Sequence, residues 1–459
     1  MSGRVRVVKR RAKPEGKGGA VSPARGAAFE ILRRVEEEGA FAAPLLAGVE
    51  LSPEDRALCY ELVLGVLRRQ SWLDRVAEHF AGRESSQLDA PVRRALRLGL
   101  YQLRFLTRVP ARAAVNESVN LVHAARLRSA APFVNAVLRR ADREKEFDPA
   151  AAVTDPLARA AVETSHPEWL IRRWADAFGP AEAAAFARAN NANAPAAFRL
   201  NPLRAGHETA VERLREAGVA VAASRVAPGA WRVEGGGGGA ALRELAEAGA
   251  VYMQDEASQL VAHVVGAAPG ERVLDACAAP GSKTTQMAAH ALDGAHVVAG
   301  DLHAHRLRVV GESARRQGLK SLRLVLLDAA GALPFRDDAF DRVLVDAPCT
   351  GTGTLRHNPE IRWRVAPADI TKLSALQRRI LAEAARVVRP GGRLVYSTCS
   401  VEREENEEVV ADFLRLRGDF RQTEIGDAPE RIRLPSGAAR TWPHRDDVDG
   451  FYVAAFEKI

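Results

Sequence analysis

Beyond about residue 251 the chain alternates short β-rich runs with helical stretches, and this alternation constrains the fold more than any other feature. The runs are Arg272-Val273-Leu274, His296-Val297-Val298-Ala299, Leu322 to Leu327, Arg342 to Val345 and Arg393 to Tyr396. Strands joined through helices predict a doubly wound, Rossmann-like α/β sheet. In an open parallel sheet, ligands bind where the C-terminal ends of the strands meet. The residues just past each run therefore carry the functional information.

Upstream the grammar differs. Residues 1–21 are Gly, Lys, Arg and Pro without periodicity and read as a disordered basic tail. Residues 22–145 are helical in pattern throughout, with Ser52-Pro53-Glu54-Asp55 as an N-cap and Cys59 as a small core residue. Residues 146–250 read as a linker, spanning 146–165, and a small α+β domain. That domain holds a helix near Pro167 to Phe178, a strand Ala197-Phe198-Arg199-Leu200 and a glycine turn, Gly235 to Gly239. Residues 251–459 form the α/β domain.

The net charge of +8 is uneven. Residues 91–140 carry ten Arg against Glu117 alone, and the first 20 residues carry seven Lys or Arg against Glu15 alone. A basic N-terminal part on an acidic body is the footprint of nucleic-acid binding, although a solvated Arg-rich face reads the same way. No apolar run is long enough for a membrane span, and the basic N-terminus lacks the apolar core of a signal peptide. Four cysteines without recurring spacing fit a reducing cytoplasm, and no Cys/His cluster has metal-ligand spacing. His303, His305, His357 and His444 read as surface or RNA-facing residues. A cytoplasmic protein, with no membrane or metal partner, is expected.

The first strand runs into Asp275-Ala276-Cys277-Ala278-Ala279-Pro280-Gly281-Ser282-Lys283-Thr284-Thr285. Its small residues let a ligand approach the backbone, and the two-glycine spacing of a triphosphate loop is absent. Asp301 ends the second strand, where an acid accepts from ribose hydroxyls, and Asp328 ends the third, where one can accept from an exocyclic amine. Adenosine without a phosphate clamp points to S-adenosyl-L-methionine. The candidate cofactor residues are Cys277, Ala278, Ala279, Pro280, Gly281, Ser282, Lys283, Asp301, Asp328 and Asp346.

Two of the four cysteines lie at the other strand ends, in Asp346-Ala347-Pro348-Cys349 and Tyr396-Ser397-Thr398-Cys399-Ser400. Two thiols beside a carboxylate fit covalent chemistry on an electron-poor ring better than a disulfide. A thiolate that adds to such a ring makes a neighbouring carbon nucleophilic, and an acid beside the ring can absorb the developing charge. Spacing alone does not rank the two thiols, Cys349 and Cys399.

Together these strings resemble the RNA 5-methylcytosine methyltransferases of the Sun/Fmu (RsmB) family over nearly the whole chain. The strings Asn116-Glu117-Ser118 and Phe133 to Leu138 are similar to the NusB-like RNA-binding domain of its ribosomal members, and Asp449-Gly450-Phe451-Tyr452 to the family's last hairpin. Ser282 departs from the usual second glycine, and Thr350 from the commoner serine. The resemblance implies Cys399 as nucleophile, Asp346 as the N3 partner, Cys349 for product release and small-subunit ribosomal RNA as substrate. A monomer is expected. Lys283 is a candidate activator of the thiol. Arg356, Arg362, Trp363 and Arg364 read as a stacking clamp for flipped RNA, or Trp363 as a buried loop anchor. The same chemistry on transfer RNA, and a non-catalytic assembly factor on a methyltransferase scaffold, are the rival readings.

Overall fold

The structure, a computed structural model, describes residues 20–235 and 239–459. Most of the basic tail (residues 1–19) and the centre of the glycine turn (residues 236–238) lie outside the described residues. The chain divides into two compact units, one of residues up to Ala192 with Leu355–Arg364, the other of Asn193–Thr354 with Val365–Ile459.

The first unit is helical. Its longer helices include Pro23–Glu37, Pro53–Arg68, Gln70–Ala81, Ala90–Phe105, Ala111–Ala124 and Ala131–Arg143. Ser52 caps the second of these by accepting from the Asp55 amide at 3.2 Å, with Pro53 at the first helical position. Leu62, Leu73, Leu96, Leu98, Leu100, Leu138 and Cys59 are fully buried along the facing stripes. The 146–165 stretch is not a linker throughout. Pro156–Thr164 is a helix capped by Asp155, which accepts from the Ala158 amide at 2.7 Å. It is followed by helices Glu168–Phe178 and Pro180–Ala189. Buried Ala160, Ala161, Val162, Leu170, Ile171 and Trp174 supply the reason.

Part of the basic character is neutralised inside this unit. Arg97 is buried on Asp74 at 2.7 Å, Arg94 is buried on Glu37 at 2.7 Å, and Arg93 binds Glu36. Arg108, Arg112, Arg126, Arg128, Arg139 and Arg140 remain exposed.

Arg356 and Arg362 do not form an RNA-facing clamp. Both are buried within the helical unit. Arg362 donates to the Ser165 carbonyl at 3.1 Å and to Asn191 Oδ1 at 2.9 Å, with the carbonyls of Arg68, Thr164 and Asn190 at 3.3–3.4 Å. Burial, with Arg68 and Arg69 nearby, pushes its guanidinium down to about 9. Arg364 donates to the carbonyls of Val35 and Ala40. Trp363 is half-buried. This segment anchors the chain in the helical unit.

The second unit holds two sheets. In the smaller, β1 (Ala197–Leu200), β2 (Val221–Ala223), β3 (Ala230–Val233) and β4 (Val251–Met253) run antiparallel in the order β2-β3-β1-β4. The small sheet therefore extends to Met253, just past the boundary at 250 that the pattern suggests. The larger contains β5 (Arg272–Asp275), β6 (His296–Asp301), β7 (Leu322–Leu326), β8 (Phe340–Asp346), β9 (Val388–Thr398), β10 (Phe420–Thr423), β11 (Ala439–Arg440) and β12 (Tyr452–Lys458). Its order is β10-β12-β9-β8-β5-β6-β7, with β11 paired to β12. The strands β5 to β9 are parallel, and β12 and β10 close that side antiparallel.

Alternation assigns the two faces of this sheet. Val273, Leu344, Val395 and Val453 pack with the helices Glu256–Val265 and Ser282–His290. Leu274, Val343, Val345, Leu394, Tyr396 and Phe456 pack with Pro367–Arg386 and Glu407–Leu416. Both faces are covered, so the central strands read as near-continuous apolar runs. Among the described residues, no helix is long and apolar enough to cross a membrane.

Candidate active site

Parallel register brings the two reacting strands together. In the β8–β9 pair Asp346 lies opposite Ser397, so Cys349 and Cys399 leave adjacent strand ends. Their Sγ atoms are 3.4 Å apart, both thiols are free and both residues are half-buried. The hydrogen bond with Cys399, then burial, raises the Cys349 thiol well above the usual range, so it rests protonated. Gly353 sits against this loop. Its amide donates to the Cys399 carbonyl at 2.9 Å, and a Cβ there would lie 2.0 Å from the Gly450 carbonyl oxygen. Only glycine fits.

Asp346 is held at both oxygens. Ser397 Oγ donates to Oδ1 at 2.7 Å and Lys283 Nζ contacts Oδ2 at 2.8 Å. Lys283 is buried, with its ammonium over the Phe451 ring at 4.9 Å. Burial works against the charge of Lys283, but Asp346 outweighs it and the pKa is raised. Its direct partner is therefore the acid, and any effect on Cys399 is through space.

The cofactor-loop candidates line one end of the same crevice. Ala278 is buried, its amide donating to the Gly300 carbonyl at 2.7 Å. The Ala279–Pro280 peptide is cis, and Gly281 adopts φ 105°, a left-handed conformation glycine tolerates. The helix Ser282–His290 starts at once, so Ser282 is accommodated at its first position. Asp301 is buried at the end of β6, its Oδ1 accepting from the His303 amide at 2.9 Å and its Oδ2 3.4 Å from Arg306. Arg306 also donates to the Ala279 carbonyl at 3.1 Å, which ties the loop to the acid. Asp328 is exposed two residues past β7, with Oδ1 accepting from the Ala330 amide at 2.9 Å.

Two loop residues serve structure. Cys277 packs against the core, and burial, with Asp275, Asp346 and Asp301 nearby, raises its thiol well above the usual range. Asp275 is 1% exposed, and Thr284 Oγ1 donates to its Oδ2 at 2.6 Å. Burial pushes its carboxyl up to about 7, against the opposing Thr284 hydrogen bond.

Ser397, Arg306 and Phe451 escape a reading by sequence because each acts through a residue brought near by folding. Glu405 also escapes it. It lies in the charged stretch Glu402-Arg403-Glu404-Glu405-Asn406-Glu407-Glu408, yet it is fully buried beside the thiol loops. The available signal was its place six residues after Cys399. His303 and His305 are exposed, as the sequence implies.

Residues 262–457 match the family described as 16S rRNA methyltransferase RsmB/F. Residues 22–143 match the NusB family, and residues 166–237 the ferredoxin-like domain of RsmF/B-like methyltransferases. A Bacillus subtilis (strain 168) protein described as a probable ribosomal RNA small subunit methyltransferase B is 36% identical over 445 residues, 95% of this chain and 98% of that protein. The ribosomal RNA small subunit methyltransferase B of Pseudomonas putida is 36% identical over 417 residues, 89% of this chain and 92% of that protein. The crystal structure of PH0851 superposes with a TM-score of 0.82 at 28% identity, covering 96% of this chain and all of that one.

Proposed function

This chain belongs to the RsmB/F family of 16S rRNA methyltransferases, and from that premise we propose that it methylates carbon 5 of a cytosine in 16S ribosomal RNA through a covalent cysteine–carbon 6 adduct. The observation that carries the proposal is the pair of thiols 3.4 Å apart beside a carboxylate fixed at both oxygens.

The residues present fit S-adenosylmethionine. A small-residue loop runs from Cys277 to Ser282, Asp301 stands buried at the strand end, and Asp275 Oδ1 is a buried oxygen without a hydrogen-bond partner among the described residues. Asp301 would hold the ribose hydroxyls, Asp328 the adenine amine, and the loop backbone the remainder. When bound, this cofactor supplies an electrophilic methyl group.

Cys399 adds through sulfur to carbon 6, which makes carbon 5 nucleophilic. Asp346 stands at ring N3, and Ser397 and Lys283 keep it from rotating away. Release follows when a base takes the proton from carbon 5, its electron pair re-forms the carbon 5–carbon 6 double bond and Cys399 leaves as a thiolate, the step to which Cys349 is assigned. The NusB-like helices supply exposed arginines for phosphate contact.

The test is nucleoside analysis of 16S rRNA and transfer RNA after separate incubation with the purified protein and S-adenosylmethionine. 5-Methylcytidine in 16S rRNA is the expected product. Methylation of a ribose or an adenine would overturn the chemistry, methylation of transfer RNA alone would overturn the substrate, and no transfer to either would favour an assembly factor.

A further inference from the structure

Glu405 is an anomaly in electrostatic terms. Its side chain is fully buried, and its carboxylate's hydrogen-bond partners among the described residues are all neutral. An uncompensated buried carboxylate is costly, so a fold retains one only where its hydrogen bonds satisfy it. Four donors do. The Thr350 amide and Gln377 Nε2 each donate to Oε1 at 2.9 Å, and the Thr350 and Ser400 hydroxyls each donate to Oε2 at 2.5 Å. Burial raises its pKa while these bonds oppose the rise.

The donors are not scattered. Thr350 follows Cys349 and Ser400 follows Cys399 in the chain. Gln377 Nε2 also donates at 2.9 Å to the carbonyl of Pro348, the residue before Cys349. The loop bearing Glu405 is itself fixed, since Tyr396 Oη donates to the Glu405 carbonyl at 2.6 Å and Asn406 Nδ2 to the Ser400 carbonyl at 2.9 Å. One carboxylate therefore ties both cysteine loops to a common point.

We infer that Glu405 is a positioning residue that sets the separation of the two thiols, acting through Thr350, Ser400 and Gln377 without touching RNA or cofactor. The inference rests on the methylation reading for its consequence in turnover, but not for its consequence in thiol reactivity. Glutamine weakens the tie, because its amide nitrogen would face two N–H donors at the Oε1 position, and at the Oε2 position it would force both hydroxyls to turn from donating to accepting. The hydrogen bond with Cys399, which the tied loops hold in place, is the main reason Cys349 stays a thiol, with burial next and the negative charge of Glu405 a smaller contribution.

Two measurements on Glu405→Gln test this in the full-length protein. In steady-state methylation, kcat should fall about 10- to 100-fold, the scale on which misplacing reacting groups by about 1 Å acts. The KM values for S-adenosylmethionine and RNA should stay within about twofold. An unchanged kcat, or KM values rising in step with the loss, would overturn the inference. Iodoacetamide labelling of the free protein, followed residue by residue by mass spectrometry, needs neither substrate. The Cys349 rate should rise several-fold relative to Cys399, and an unchanged ratio would overturn the inference even if the wild type proved to make no 5-methylcytidine. If Glu405→Gln does not fold, Thr350→Val removes one hydroxyl but keeps the amide bond. It should show the same two effects at a several-fold level, and their absence would overturn the inference.

Discussion

Replacing Asp275 by Asn should change the pH dependence of stability by an amount that follows from its burial. In the folded protein the carboxyl titrates at about 7, against 3.8 for the free side chain. A folded pKa above the unfolded one means the group's contribution is fully present below about pH 3.8 and is lost as pH rises through about 7. The contribution is about 3 kcal/mol at pH 5 and nearly zero at pH 8, using about 1.4 kcal/mol per tenfold change in proton affinity. Asn keeps the shape and can accept from Thr284, but it does not titrate. The stability of Asp275→Asn relative to wild type should therefore rise by about 3 kcal/mol from pH 5 to pH 8. Other groups titrate alike in both proteins and cancel. Native-state hydrogen exchange at the amides of β5 and β8 reports opening of this sheet alone, which a whole-chain melt would blur. A difference independent of pH would refute the reasoning and mean that water or rearrangement solvates the carboxylate.

Asp301→Ala should weaken S-adenosylmethionine binding about 10- to 100-fold per hydrogen bond lost, and calorimetry showing unchanged affinity would remove Asp301 from the ribose site. Arg362→Met should destabilise the helical unit by about 3–5 kcal/mol in urea denaturation, because several buried acceptors lose their charged donor at once. Substituting Arg112, Arg126 and Arg128 should flatten the salt dependence of RNA binding, by about 0.7 in log–log slope for each phosphate contact removed. Arg97→Met should leave that slope unchanged while lowering stability, since Arg97 is occupied by Asp74.

The α/β sheet was legible because its central strands are buried on both faces, and acids at or just past the ends of four of the five parallel strands mark the crevice. The helical region was legible through its stripes and the Ser52-Pro53 cap. The helix Pro156–Thr164 carried an equally good signal, Asp155-Pro156, but its alanine-rich composition hid it behind a linker reading. Segment 355–364 was opaque for another reason. Arginine and tryptophan beside a reactive loop read as RNA contacts, whereas Arg362 is satisfied by backbone carbonyls that no local pattern reveals. This changes how the protein should be dissected. Cutting at residue 145, where the helical pattern ends, removes Arg68 and strands Arg362 without part of its site, so the truncated chain is expected to be destabilised. The pairing of Lys283 with Asp346 was hidden likewise, because residues 63 positions apart meet only when β5 and β8 lie side by side.

The central claim is covalent catalysis by two thiols with separate duties, and a denaturing gel tests it directly. Radiolabelled 16S rRNA is incubated with S-adenosylmethionine and the wild type, Cys399→Ala or Cys349→Ala, then denatured and resolved. Cys349→Ala should accumulate a denaturation-resistant protein–RNA band, and Cys399→Ala should show neither that band nor methyl transfer. A band with Cys399→Ala and none with Cys349→Ala would exchange the two roles, and methyl transfer persisting in Cys399→Ala without any adduct would contradict the account.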